Sequence, residues 1–127
     1  MSAHLFSHEI SYITTEECKA ILDSGPGDYA PRGLYIVEDT VQIPGTTRRV
    51  PFFVAIDNST GDAWTEEFYS IIVAKQWLAG LLDADEAHAN DYWGLKWSMD
   101  SIMLNCSSDE ATAIRDWVAN LAPAGCV

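Results

Sequence analysis

The chain has 127 residues, 48% of them hydrophobic, which is enough for one globular domain over 1–127 with a real core and too few to suggest two. Nineteen acidic against seven basic residues give a net charge of −12. Such a surface repels nucleic-acid backbones and anionic membrane faces and speeds encounter with basic partners, so direct nucleic-acid or membrane binding is disfavoured.

Leu5 to Ile13 alternates loosely and predicts a short strand. Thr14 and Glu17 then make a capping box, with Ile13 placed to staple onto Cys18. A helix over about 14–24 follows, with Cys18, Ile21 and Leu22 on its buried face and Gly25-Pro26 as its stop. Prolines and glycines between Gly25 and Pro31 predict a loop. Leu34 and Ile36 against Tyr35 and Val37 predict a central strand over 34–43 covered on both faces. Pro44-Gly45-Thr46-Thr47 turns it into a strand over 48–57, where Pro51 calls for an edge or a bulge.

The Asx-rich turn Asp57-Asn58-Ser59-Thr60-Gly61-Asp62 leads into a strand over 62–69, completing an antiparallel meander across 34–69. At Ser70 the period changes: Ile71, Ala74, Trp77/Leu78 and Leu81 predict a helix over 70–82 lying on that sheet. The acidic run that follows would oppose the dipole at a helix C-terminus, which places the stop near Leu82. Trp93, Leu95, Trp97 and Met99 alternate with Tyr92, Gly94, Lys96 and Ser98 and predict a further strand over 92–99, with Ile102-Met103-Leu104 continuing it past a bend. Ser107 with Glu110 reads as another capping box, and Ala111, Ile114, Trp117/Val118 and Leu121 predict a helix over 108–121 stopped by Pro123. The expected fold is therefore α+β: an antiparallel sheet of four to five strands packed against about three helices.

No catalytic signature emerges. An EF-hand counted from Asp83 has alanine at position 5 and Gly94 at position 12, and one counted from Asp57 has Phe68 at position 12, so neither holds a calcium loop. His4 and His8, four apart, have the spacing of half a zinc site on a helix, but no third ligand is indicated. Cys18, Cys106 and Cys126 are odd in number and widely spaced, which points to free thiols. GxSxG, Walker and GxGxxG patterns do not occur. No cofactor, no metal and no enzymatic activity are expected. The start of the chain has no basic and apolar signal pattern, and no apolar run nears the roughly 20 residues that span a bilayer, so the cytoplasm is the expected location. The sequons at Asn58 and Asn105 are then chance matches.

The order helix, three antiparallel strands, helix across residues 14–82 is similar to that of a double-stranded-RNA-binding domain. Acidic residues stand where that family places its phosphate-contacting bases, so the likeness implies nothing about RNA binding here. What remains is surface. The segment from Asp83 onward holds eight acids against two bases. Trp64, rimmed by Asp62, Glu66 and Glu67, has the make-up of an aromatic anchor for a basic partner. Together with Asp83, Asp85, Glu86 and Asp91 these residues form the expected partner-binding set. The function this implies is a non-catalytic acidic inhibitor that covers a basic, nucleic-acid-binding surface, as phage or mobile-element anti-defence proteins of the anti-CRISPR kind do by mimicking DNA charge. The alternatives are an immunity protein or antitoxin against a basic toxin, and a small metal-dependent enzyme built on the acidic segment. Arg48 and Arg49 could meet the acidic third of a second copy, against the repulsion of two like-charged bodies, so monomer and homodimer are both open.

Overall fold

A computed structural model describes residues 10–23, 32–60 and 62–123. Its frame is the long antiparallel pair β2 (Leu34–Gln42) and β3 (Arg49–Asp57), in register without a slip from Leu34 opposite Asp57 to Gln42 opposite Arg49. β4 (Trp64–Phe68) pairs with Phe53 to Asp57 only. Pro51 therefore lies where β3 is an open edge on that side, and its missing N–H needs no bulge. The turn between β3 and β4 is held by Asp57, whose carboxylate accepts from the Ser59 N–H at 3.0 Å and from its hydroxyl at 2.6 Å. Buried Asn58 accepts the Ala63 N–H at 3.0 Å.

β1 (Ile10–Tyr12) pairs with β2 in parallel, which makes the four-stranded sheet β1-β2-β3-β4 mixed where an antiparallel one was expected. The connection explains it. α1 (Thr15–Asp23) crosses over between the two strands, and a strand, helix, strand crossover delivers its second strand parallel to the first. The Thr14–Glu17 capping box is present in both directions, at 3.0 and 3.1 Å. The loop predicted at 25–31 and the strand residues before Ile10 lie outside the described residues.

The sheet is covered on both faces. Cys18 of α1 packs on Tyr35, Val37 and Ile56, with Ile13 beside it. The opposite face, Leu34, Ile36, Phe53, Ala55 and Phe68, receives Val73, Ala74 and Leu78 of α2 (Ile71–Leu78). Ser70 caps α2 by accepting from the Val73 N–H. The helix ends four residues before the expected stop, in a Schellman turn: Gly80 has φ 78°, its N–H donates to the Trp77 carbonyl, and the Leu81 N–H donates to the Gln76 carbonyl at 2.9 Å.

The main correction follows Leu82. The strand expected over 92–99, with its continuation at Ile102 and Met103, is the body of α3 (Ala84–Met103). The acidic run stands at the start of this helix, where carboxylates favour the dipole, and not at the end of the one before. Asp83 is the N-cap: it accepts the Glu86 N–H at 2.8 Å while Glu86 accepts the Asp83 N–H at 3.2 Å. Trp93/Trp97 and Leu95/Met99 are pairs four apart, a spacing that satisfies a strand and a helix equally. Tyr92, Leu95 and Met99 face inward, joining Ile43, Val50, Ile114 and Val118 in a second core against α4 (Ser108–Asn120). The described residues thus contain four helices and four strands, an α+β fold. Ser107 caps α4 at 3.2 Å, but Glu110, the expected reciprocal partner, pairs with Arg48 at 3.1 Å. Among the described residues no helix is long and apolar enough to cross a membrane.

Candidate protein interface

Alternation along β4 puts Trp64, Glu66 and Phe68 on the face that meets α2 and α3. The Trp64 indole N–H donates to the Glu66 carboxylate at 2.8 Å, and the other Glu66 oxygen lies 2.6 Å from Nε2 of His88 on α3. That contact is a hydrogen bond while His88 is neutral and an ion pair once it is protonated. Phe68 lies against the His88 ring with centroids 4.8 Å apart, and Trp64 meets Trp77 edge-on at 6.4 Å. Trp64 nevertheless remains 61% exposed, with its orientation fixed by Glu66. Exposed Asp62 stands just before it, accepting from the Thr60 hydroxyl, and exposed Glu67 follows it.

The other acidic residues divide. Asp83, Asp85 and Glu86 are exposed at the first turn of α3. Asp91 does not share their surface: it is 5% exposed and accepts the Tyr69 N–H at 2.7 Å and the Ser70 N–H at 2.8 Å, tying α3 to the junction of β4 and α2. Burial pushes its carboxyl above the ordinary range, against the two N–H donors and nearby His88. Burial, then the charges of Asp91 and Glu67, raise the Tyr69 phenol as well. Two shallow clefts, about 220 Å³ and about 430 Å³, flank Asp91 and share Tyr69 and Leu95 as walls. Among the described residues no three His, Cys, Asp or Glu side chains come together as a metal site would require.

Arg48 is engaged within the chain by Glu110 and by Cys106 Sγ at 3.6 Å, and Arg49 by the Thr40 hydroxyl and carbonyl. The two bases that could have met a second copy thus already have partners. Hydrogen bonding to Glu110, followed by burial, raises the Cys106 thiol, and burial raises that of Cys18.

Three further residues belong to the surface: Trp93 and Trp97, whose alternation predicts a strand, and Leu104, which falls in its expected continuation. Trp93, Trp97 and Leu104 are 53%, 80% and 84% exposed. At about 100° per residue they fall within about 40° of one another, opposite Leu95 and Met99. The Lys96 ammonium lies 5.6 Å from the Trp93 ring centre. The signal that would have found them is the Asp83-x-x-Glu86 capping box, which sets a helical frame for everything after it. No family model, no curated protein and no solved structure matches this chain.

Proposed function

We propose that this protein is a non-catalytic acidic inhibitor that binds a basic, nucleic-acid-binding protein in the host-cell cytoplasm and covers its phosphate-binding surface, in the manner of phage or mobile-element anti-defence proteins of the anti-CRISPR kind. The observation that carries the reading is the pairing of a net charge of −12 with indoles held at the surface beside carboxylates, Trp64 on Glu66 above all. Carboxylates take the place of phosphates and form charge-assisted hydrogen bonds with Lys and Arg of the target. Rim charges steer the encounter, and a desolvated aromatic anchor slows dissociation. Asp62, Glu67, Asp83, Asp85 and Glu86 supply the exposed carboxylates for this role, half-buried Glu66 orients Trp64, and Asp91 supports their scaffold from inside.

The test is affinity capture from the native host, followed by competition with nucleic acid for the captured protein. The expected result is a basic target that loses its nucleic acid to this protein, less efficiently as salt rises. Reversing the charge of Asp83, Asp85 and Glu86 should slow association and flatten its salt dependence. Recovery of no basic or nucleic-acid-binding target, with full potency of the charge-reversed variant, would remove the proposal.

A further inference from the structure

We infer that the outward stripe of α3, Trp93, Trp97 and Leu104, is the docking surface for a basic amphipathic helix of the target, an assignment that rests on the inhibitor reading and deepens it. Trp97 and the C-cap residue Leu104 belong to neither core cluster, and Trp93 meets the second only edge-on at Tyr92, with ring centroids 5.4 Å apart. They cover about 16 Å of helix axis at ~1.5 Å per residue. Two indoles and a leucine exposed to this degree present roughly 400 Å² of mainly apolar surface, the size at which a patch on a monomer is commonly functional. Packing does not explain them: the inner face of the same helix is already filled by Ala87, Tyr92, Leu95 and Met99.

Charge selects the occupant. Asp85, Glu86 and Asp100 are exposed on the same helix, with Glu86 and Asp100 in the angular sector of the stripe and Asp85 on its flank. Lys96 is the one base within α3, and its ammonium lies by the Trp93 ring. The stripe supplies about half of the roughly 800 Å² per partner that a standard interface buries, so its acidic surroundings must supply the rest. A second copy would set carboxylates against carboxylates. A helix with one apolar face bordered by Lys and Arg covers the stripe and pairs with these acids, presenting its own i, i+3, i+4, i+7 anchors to Trp93, Trp97 and Leu104.

The experiment titrates the full-length protein with a synthetic Leu/Lys amphipathic helix about four turns long and with a scrambled peptide of the same composition, using calorimetry together with amide chemical shifts. The amphipathic peptide should bind at least about tenfold more tightly than the scrambled one. That preference should vanish in W93A/W97A with its circular dichroism unchanged, persist in W64A, and produce shifts along α3. Equal binding of the two peptides, or a preference that survives W93A/W97A, overturns the assignment. If the preference is instead lost in W64A and kept in W93A/W97A, the docking surface is wrong while the inhibitor reading stands. Failure of the amphipathic peptide to bind overturns the docking surface and leaves the inhibitor reading to the capture experiment. A concentration-dependent dimer abolished by W93A/W97A would give the stripe to a second copy and likewise overturns the proposal.

Discussion

Replacing Asp91 with alanine removes the acceptor for two backbone N–H groups at once, those of Tyr69 and Ser70. Each hydrogen bond to a charged group contributes about 1.5–3 kcal/mol, and a donor left buried without an acceptor costs about 1–3 kcal/mol. Against this stands the cost of holding a carboxylate out of water, the same effect that raises its pKa. The difference leaves an expected loss of about 2–4 kcal/mol at neutral pH, a large part of the stability of a domain this size. The raised pKa fixes the pH dependence. The folded protein binds this proton more tightly than the unfolded chain, so the associated stability is complete below the ordinary value of 3.8 and is lost as pH rises through the higher folded value. Asp91→Asn and Asp91→Ala lack that component. Urea unfolding followed by circular dichroism from about pH 4 to about pH 7 should therefore show wild type losing part of its advantage over both variants as pH rises. A loss under about 0.5 kcal/mol for Asp91→Ala, the scale of a neutral surface change, or an advantage that stays flat with pH, would refute the reasoning.

The tryptophans should separate by position. Trp77→Ala and Trp117→Ala, both half-buried, should each cost about 1.5–3 kcal/mol, below the ~3–5 kcal/mol of a fully buried aromatic. Trp93→Ala and Trp97→Ala should stay within about 0.5 kcal/mol, and chemical denaturation of the four variants checks the split. Asp83→Ala removes the N-cap of α3 and should lower stability by about 0.5–2 kcal/mol, with Asp83→Ser restoring most of it, as read by thermal melts.

The sequence disclosed those parts of the fold whose signals are local. The Thr14–Glu17 box, the change of period at Ser70, the turn at 57–62 and the alternation of β2, β3 and β4 all depend on residues a few positions apart. α3 is not legible in the sequence because aromatic and aliphatic residues at i and i+4 fit either period, and the Asp83–Glu86 box that decides between them lies inside a charge run. The parallel edge pairing depends on α1 crossing over between its strands, which composition does not reveal. For the site, Trp64 beside Glu66 follows from β4 alternation. The burial of Asp91 does not, because its donors are backbone groups about twenty residues upstream, brought to it only by tertiary packing. The Glu66–His88 contact was hidden for the same reason.

The most direct measurement is photocrosslinking in the native host from a benzophenone side chain at position 97 or 64, with identification of what is captured and competition by added nucleic acid. A basic nucleic-acid-binding protein should be captured at one or both positions, with yield falling as nucleic acid competes and when Asp83, Asp85 and Glu86 are reversed in charge. Capture of only a second copy of this chain, or of a target whose crosslinking nucleic acid leaves unchanged, would contradict the account.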